Sequence, residues 1–422
     1  MIKPSDVEIM APAGSFESLA AAIKGGCDSV YFGVTQLNMR ARAAANLTLA
    51  DLAEVARICH ETPARRGGHI KAYLAVNTLL YDHDTVIMRK LVDAAKENNI
   101  DAVIAFDFAT IQYCNEIGIP VHISVQFSVS NYESLKFFAT MTNRVVLARE
   151  LTLDQIRAIH ERIEKEQLMG REGTLMEIEA FVHGALCVAQ SGRCFMSSYT
   201  DNASANRGAC LQNCRGQYKV TDMETGKELV LDNHYVMSAA DICTIDFAPE
   251  LLKSGVLVWK IEGRGRSPEY VYTVTKTYRQ ALSDIERGEY TGEKVAQYYE
   301  ELKTVYHRGL SKGNYYLGRE LDAYSETHGS QASKEKVFVG TIRKYYAKAG
   351  VAEMIVEAGT MAAGDEIRVI GATTGVYEGT IGELRAADES PLTEGKKGNV
   401  VTFPVTERVR VNDKVYLWKD KK

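Results

Sequence analysis

Short apolar runs rich in β-branched residues alternate with amphipathic patterns through the first two-thirds of the chain. The runs predict strands at Glu8–Ala11, Ser29–Gly33, His69–Asn77, Ala102–Phe106, Val121–Ser124, Arg144–Ala148, Glu177–Val182 and Val256–Ile261. Apolar residues at helical spacing predict helices between them, including Ser15–Lys24, Leu49–His60, Thr85–Asn98, Tyr132–Thr140 and Leu153–Glu164. This strand–helix order indicates parallel pairing of the strands.

The eight repeats predict an α/β fold, a (β/α)8 barrel of the TIM type with possible distortions. A doubly wound open sheet is the alternative, because strand counts taken from sequence are uncertain. In the seventh repeat, an insertion at residues 183–243 separates the strand near Val182 from the helix near Ile245. Loops that follow the strands form the active face of such barrels. We therefore predict a catalytic barrel at residues 1–286 with the insertion on its active face.

The pattern changes after the barrel. Residues 287–334 form a polar stretch that predicts a helical-to-irregular connector. Short strands separated by Gly, Asp and Asn turns then predict a small all-β barrel at residues 335–422, similar to the second domain of translation factors. These strands are Val337–Ile342, Ala352–Ile355, Glu366–Ile370, Gly375–Ile381, Asn399–Phe403 and Lys414–Leu417.

Composition narrows the class of protein. The 422-residue chain has 45% hydrophobic and 25% charged residues, and its formal net charge is −5. A net negative charge argues against nonspecific coating of nucleic acid, which depends on Lys and Arg contacts to phosphates. Apolar runs of signal-peptide or membrane-spanning length are missing from the sequence. We therefore expect a cytoplasmic protein without a membrane partner.

Four of the eight cysteines fall within 28 residues, and the remainder are scattered among apolar neighbours. Six residues separate Cys187 from Cys194, fifteen separate Cys194 from Cys210, and three separate Cys210 from Cys214. In a reducing compartment such a group indicates a metal centre rather than disulfides. An iron–sulfur cluster uses four thiolates. A four-cysteine zinc site is the alternative, although only the last pair has zinc-like spacing.

Two segments around these cysteines resemble the signature of the collagenase-like peptidase family U32. They are Glu179-x-Phe-x-x-Gly-Ala-Leu-Cys187 and Ser191-Gly-Arg-Cys194-x-x-Ser197. Further landmarks are Ala11-Pro-Ala-Gly14, Val30-Tyr-Phe-Gly33, Lys260-Ile-Glu-Gly-Arg264 and the segment from His307 to Gly313. Cys210-x-x-x-Cys214 followed by Arg215 is most similar to the branch that hydroxylates tRNA.

This resemblance implies a cofactor and a reaction. The cofactor is a 4Fe-4S cluster held by Cys187, Cys194, Cys210 and Cys214, with Cys243 as the alternative fourth ligand. The reaction is 5-hydroxylation of the wobble uridine of tRNA, with prephenate as co-substrate. An rRNA hydroxylase, a collagenase-like peptidase and a non-catalytic iron–sulfur partner in a hetero-oligomer are the other interpretations. HExxH and GxSxG motifs, which would favour a peptidase, are missing from the sequence.

Candidate site residues follow from the predicted strand ends. Prephenate carries two carboxylates, which Arg149, Lys260 and Arg264 could bind as cations. His183, Glu179 and Glu262 are candidate proton carriers, and each could equally be a structural polar residue. Gln126 and Asn77 are weaker candidates for contacts to a base edge.

Partners are predicted from the chemistry of the surface. The run Arg343-Lys-Tyr-Tyr-Ala-Lys348 mixes cations with rings that can stack on bases, as RNA sites do. A solvated strand is the alternative explanation for that run. We expect tRNA as the macromolecular substrate, and a homo- or hetero-oligomer stays open.

Overall fold

The computed structural model describes residues 2–39, 41, 47–229, 237–311, 314–318, 324–325 and 327–421. Parts of the predicted insertion (230–236), of the connector and of the segment ending at Gly313 lie outside the described residues. The helices are α1 Phe16–Gly25, α2 Leu52–His60, α3 Thr85–Glu97, α4 Phe108–Ile117, α5 Tyr132–Ala139, α6 Leu153–Glu166, α7 Met196–Asp201, α8 Ala248–Lys253, α9 Pro268–Arg287 and α10 Gly292–Lys303.

The strands up to the end of the connector are β1 Glu8–Pro12, β2 Ser29–Phe32, β3 Lys71–Val76, β4 Ala102–Ala105, β5 Val121–Ile123, β6 Arg144–Val146, β7 Glu177–Gly184, β8 Val220–Thr221, β9 Glu228–Leu229, β10 Asp241–Cys243, β11 Val258–Ile261 and β12 Leu310–Ser311. The C-terminal strands are β13 Lys334–Tyr346, β14 Val351–Val356, β15 Thr360–Ala362, β16 Glu366–Gly371, β17 Gly375–Thr380, β18 Leu384–Ala386, β19 Pro391–Leu392, β20 Glu394–Lys396, β21 Val400–Pro404 and β22 Lys414–Asp420.

Eight parallel strands close into a barrel. Strands β1 to β7 pair in chain order, and β11 pairs in parallel with both β1 and β7. Each predicted strand of the first two-thirds overlaps one barrel strand, so the (β/α)8 prediction is confirmed and the open sheet is excluded. The barrel strands are almost wholly buried, as expected for a parallel sheet covered by helices.

Local sequence explains where the helices begin. The Ser15 hydroxyl accepts a hydrogen bond from the backbone N–H of Ser18 at the start of α1. Thr152 and Gln155 form a reciprocal capping box at the start of α6. These side chains satisfy backbone N–H groups that have no partner within the helix.

The predicted long insertion separates β7 from α8. It contains α7, the short β8–β9 hairpin and β10. Strand β10 pairs antiparallel with the end of β7, at Cys243 opposite His183. Strand β12 adds to β10 in parallel, and helix α10 packs on the barrel core through Tyr298, Tyr299 and Leu302. The stretch predicted as a connector therefore contributes ordered elements to the barrel.

The C-terminal residues form an antiparallel β-structure, as predicted. The eight-stranded sheet has the order β17-β16-β22-β13-β14-β21-β18-β19, and it encloses a hydrophobic core of its own. Its surface packs on α1 and α9, where Ile370, Val376 and Trp418 join the barrel core. The exact boundary of a separate domain at residue 335 stays a prediction.

A buried ionic network lies at the N-terminal end of the barrel. The Arg144 guanidinium donates to both oxygens of Glu8, at 2.9 and 2.8 Å. Ser29 and Tyr73 also donate to Oε1 of Glu8, at 2.7 and 3.1 Å. Burial raises the pKa of Glu8, but Arg144 and these hydrogen bonds lower it more, to about 2. The carboxylate is therefore charged and depends on Arg144.

We expect Arg144→Met to lower the free energy of unfolding by about 3 kcal/mol, because it leaves the buried Glu8 charged with the partly exposed Arg66, at 3.2 Å, as its remaining cationic partner. The double variant with Glu8→Gln should recover part of this loss. Glu8 has a folded-state pKa below its ordinary 4.5, so it stabilises the fold above pH 4.5 and this contribution is lost as the pH falls towards 2. Urea unfolding of each variant at pH 7 and pH 3 measures both effects. Equal stability of Arg144→Met and the wild type would contradict the prediction.

Candidate functional site

A cavity of about 430 Å³ opens at the C-terminal ends of the barrel strands. Its floor is made by strand residues such as Tyr31, Ile104, Val146 and Phe181, and its rim by the loops that follow the strands. The insertion supplies one wall. The cavity therefore lies at the barrel face where the insertion was predicted to lie.

The structure brings most of the predicted site residues together around this cavity. Of the candidates, the lining includes Asn77, Gln126, Arg149, Lys260, Glu262, Arg264, Cys187, Cys210 and Cys214. Glu179 and His183 are buried in β7 and are not among the lining residues, and Cys194 lies in the adjoining loop. These positions come from widely separated parts of the chain and meet because the barrel closes.

The cavity lining is strongly cationic. Six basic side chains face one carboxylate, that of Glu262, among the described lining residues. The basic residues are Arg149, Arg215, Lys260, Arg264, Arg266 and Arg308. Such an arrangement attracts anionic ligands, and the low-dielectric walls strengthen the attraction.

Two of these cations have carboxylate partners behind the cavity wall. Lys260 donates to Oε1 of Glu179 at 2.6 Å, and both side chains are buried. Burial lowers the pKa of Lys260, while Glu179 opposes that shift. Arg308 donates to Asp241 at 2.7 Å, again as a buried pair. Arg149 and Arg215 donate to backbone carbonyls, Arg264 donates to Oδ1 of Asn38 at 3.0 Å, and Arg266 lies over the Tyr306 ring.

Arg149 and Gln126 carry buried polar atoms that lack a hydrogen-bond partner within the described residues. Arg149 donates through Nη1 to the Ala185 carbonyl at 2.8 Å and lies over the Phe181 ring, but its Nε is unpaired. Gln126 accepts from Ser124 at 2.9 Å, and its Nε2 is unpaired. Buried polar groups normally find partners, so these two donors mark positions suited to a ligand.

Gly192 allows the insertion to approach Gln126 closely. Its φ is +73°, and an added Cβ would lie 2.6 Å from Cγ of Gln126. Any larger residue would both strain the backbone and displace the glutamine. The shape of this wall therefore depends on glycine.

His183 lies behind the cavity wall in contact with aromatic residues. It is 1% exposed, and its Nδ1 is 3.5 Å from the Tyr278 hydroxyl. Burial, with a smaller contribution from His307, lowers the pKa of His183 to about 3. The imidazole is therefore neutral at physiological pH, and among the three candidate proton carriers only Glu262 lines the cavity.

The four clustered cysteines come together beside the cavity. Burial raises the pKa of the Cys214 thiol, Arg215 lowers it, and Cys187, Cys210 and Cys194 raise it, so each of the other three cysteines lies within electrostatic reach of Cys214. No three of these described sulfurs lie within 4.8 Å of one another, whereas a single tetrahedral zinc ion would hold its sulfurs about 3.8 Å apart. Four thiols are the donor set that an iron–sulfur cluster requires.

Hydrogen bonds and an ion pair hold the cysteine loop in place. Asn206 accepts from the backbone N–H of Cys194 at 3.0 Å. Arg215 donates to the carbonyls of Leu186 and Ala239, and Arg207 pairs with Asp84 at 2.6 Å. The latter contact ties the insertion to the loop after β3.

Cys243 lies apart from this group. It is fully buried on β10, its neighbours include Tyr278, and burial raises its pKa to about 11. A thiol in such surroundings stays protonated and packs as a small apolar side chain. This supports Cys214 over Cys243 as the fourth predicted ligand.

Sequence reasoning did not assign Arg308 to the cavity, whereas it grouped Arg266 with Lys260 and Arg264 after the eighth predicted strand and noted Arg215 as a cation beside the cysteines. Arg308 arrives from the stretch after α10, Arg266 extends the loop after β11, and Arg215 follows the last cysteine of the cluster. Each lies beside a residue already singled out, at His307, Arg264 and Cys214. Their position next to these residues in the sequence is the signal that predicts their place in the cavity.

The fold and site define a (β/α)8-barrel protein with a cationic, cysteine-lined cavity on its C-terminal face. The chain belongs to peptidase family U32, whose family model matches residues 14–324. A structure titled as that of the U32 peptidase Mk0906 is 13% identical with a TM-score of 0.38, covering 61% of this chain and 93% of that one.

Relatives carry names from two kinds of chemistry. A protein named collagenase from Porphyromonas gingivalis is 47% identical over 98% of both chains. The tRNA hydroxylation protein P1 of Bacillus subtilis is 31% identical over 65% of this chain and 63% of its own. The 23S rRNA 5-hydroxycytidine C2501 synthase of Escherichia coli is 33% identical over 72% of this chain and 44% of its own.

Within the described residues, no helix has the length and apolar character needed to span a membrane.

We expect Lys260→Ala to lower the free energy of unfolding by about 3–5 kcal/mol, because Glu179 would stay buried without a cation. The double variant Glu179→Gln with Lys260→Met should recover most of that loss. Lys276→Ala is a matched control, since Lys276 pairs with Glu378 at the surface and should change stability by at most about 1 kcal/mol. Denaturant titration of the three variants checks this. A Lys260→Ala protein as stable as the control would contradict a structural role for the pair.

Proposed function

We propose that this protein is an RNA-modifying enzyme that hydroxylates the wobble uridine of tRNA at carbon 5, with prephenate as co-substrate and an iron–sulfur cluster as cofactor. The observation that carries the proposal is the joining of a cationic cavity and four cysteines at one barrel face. Relatives named as tRNA and rRNA hydroxylation enzymes support this class of reaction.

Cys187, Cys194, Cys210 and Cys214 would hold the cluster. Their donor set is four soft thiolates, as an iron–sulfur cluster requires, and no three of the described sulfurs lie as close together as they would around a single zinc ion. Arg215 lies against Cys214, where its charge would offset part of the negative charge of a thiolate-bound cluster. A 4Fe-4S cluster bound there would supply redox or Lewis-acid chemistry at the edge of the cavity.

Prephenate would bind through its two carboxylates to arginines of the cavity. Arg149 and Arg264 lie after different barrel strands, and guanidinium groups bind carboxylates through paired hydrogen bonds. Lys260 has a different role in this proposal, because Glu179 already neutralises it. Lys260 would hold the cavity floor in a fixed geometry while the arginines contact the ligand.

Proton transfer would use Glu262, the carboxylate that lines the cavity. Glu179 faces Lys260 behind the wall, and His183 is buried and neutral. The unpaired Nε2 of Gln126 and the amide of Asn77 are placed at other strand ends, where they could donate to a uracil carbonyl. The cavity thus offers separate groups for the anion, the base and the proton.

Contact with tRNA would extend beyond the cavity. Phe195 and Tyr199 of the insertion are 61% and 89% exposed, and rings at such positions can stack on unpaired bases. Arg343, Lys344 and Lys348 are also exposed at the end of β13. Single-stranded loops are the usual targets of such surfaces, as an anticodon loop requires.

A collagenase-like peptidase is the second candidate, because the 47% identical relative carries that name. A Cys187–His183 nucleophile pair would be needed, but His183 is buried away from the cavity and none of the described lining residues is a histidine. Among the described lining residues, the histidine that would activate a cysteine nucleophile is therefore missing. The geometry therefore favours RNA modification.

We expect anaerobically purified protein to contain about four iron and four sulfide per chain. Cys187→Ser, Cys194→Ser, Cys210→Ser and Cys214→Ser should each lose most of the iron, because each removes one thiolate ligand. Cys243→Ser is the matched control and should keep its iron. Elemental analysis and the visible spectrum measure this. One zinc per chain without iron after anaerobic reconstitution, or loss of iron in Cys243→Ser alone, would reject the ligand assignment.

We expect cells that lack this protein to lose 5-hydroxylated wobble uridine, and Arg264→Ala to fail to restore it while keeping its iron. Lys276→Ala, a surface change, should restore modification fully. Mass spectrometry of nucleosides from tRNA and 23S rRNA, with a gelatin-digestion assay on the purified protein, separates the candidates. Unchanged tRNA nucleosides together with a loss of rRNA hydroxycytidine would support the rRNA alternative, and gelatin cleavage with unchanged RNA would support the peptidase.

A further inference from the structure

Two histidines and an aspartate meet at the end of the barrel opposite the cavity. His60 is the last residue of α2, His69 precedes β3, and Asp101 precedes β4. All three therefore lie at the N-terminal ends of the strands, whereas the cavity lies at the C-terminal ends. The proposed function uses none of them.

The three side chains are close enough to share one ion. One ligand atom from each lies within 4.8 Å of the other two. Nε2 of His60 is 3.0 Å from Oδ2 of Asp101, and Nε2 of His69 is 3.3 Å from Oδ1. The two imidazole rings have centroids 4.2 Å apart at an angle of 54°. This is the sole such group of three His, Cys, Asp or Glu ligands among the described residues.

Backbone contacts position these three side chains without a bound ion. Pro63 and His69 form an antiparallel bridge, which turns the chain back after α2. Gly67 and Gly68 have φ of +87° and +72°, which glycine adopts at little cost. The Asp101 carboxylate is fixed by the backbone N–H of Ala72, which donates to Oδ2 at 2.8 Å. Hydrogen bonds of this kind to a ligand side chain fix its orientation towards a metal ion.

We propose that His60, His69 and Asp101 form a binding site for one divalent transition-metal ion of the zinc type. In a tetrahedral zinc site with bonds of about 2.0–2.1 Å, neighbouring ligand atoms are about 3.3–3.4 Å apart. The distance of 3.3 Å from Nε2 of His69 to Oδ1 of Asp101 has this length, and Nε2 of His60 lies 3.0 Å from the other carboxylate oxygen. Imidazole and carboxylate are both common zinc ligands, and solvent would complete the shell because the His69 side chain is 42% exposed.

The ion would have a structural role. It would join the end of α2 to the starts of β3 and β4, and so add a link to the backbone pairing of β3 with β4. The N-terminal face of such barrels serves stability rather than chemistry. An ion that binds only the folded chain stabilises it in proportion to the logarithm of its concentration above the dissociation constant.

Zinc binding by the full-length, untagged, cluster-loaded protein tests the proposal. We expect calorimetry with Zn²⁺ to give one site per chain, and Zn²⁺ to raise the Tm. His60→Ala, His69→Ala and Asp101→Asn should each weaken zinc binding at least about 100-fold and abolish the Tm increase. His83→Ala is the matched control, because His83 contacts a single carboxylate, that of Asp84, and should leave zinc binding unchanged.

A second variant separates metal binding from hydrogen bonding. His69→Gln keeps an N–H donor for Asp101 but removes the imidazole ligand, so it should fold normally and still lose zinc. Co²⁺ replaces Zn²⁺ as a spectroscopic probe and should give visible bands without a strong near-ultraviolet thiolate band. Undiminished zinc binding in His69→Gln, no zinc binding by the wild type, or a thiolate band with Co²⁺ would each overturn the proposal.

Discussion

Pairing of β11 with both β1 and β7 closes the barrel, and the organisation of the active face depends on that closure. It brings the loop after β11 beside the loops after β6 and β7, so Arg264 and Arg149 share a cavity although more than a quarter of the chain separates them. It also sets Lys260 of β11 opposite Phe181 of β7, close to Glu179 on the same strand. An open sheet would leave these groups on opposite edges.

Charge is distributed along the barrel axis in distinct layers. At the N-terminal end, Glu8 and Arg144 neutralise each other in a buried network. In the interior, Lys260 and Glu179 form a second buried pair. At the C-terminal face, guanidinium groups outnumber the single carboxylate among the described residues that line the cavity. Buried pairs contribute little net stability but fix the positions of their members. The cationic cavity therefore lies above two buried ion pairs, which are neutral overall and whose side chains have fixed positions.

Sequence periodicity predicted the barrel because each strand is a short apolar run and each helix carries its own pattern. The cysteine group and the strand-end cations could also be identified from the sequence, because each is defined by residues close together in the chain. The burial of His183 could not be predicted in this way, nor could the pairing of Lys260 with Glu179, 81 positions away. Both depend on the register between strands that are distant in sequence. The added strands β10 and β12 were missed for a related reason. They are two or three residues long, and pairing alone defines them.

The C-terminal sheet packs on α1 and α9, the helices that follow β1 and β11. These two strands pair with each other where the barrel closes. The sheet therefore covers the helices on either side of that closure. With Trp418 and Val376 buried in the barrel core, the two β-structures should lose their order in one cooperative transition rather than in two separate ones.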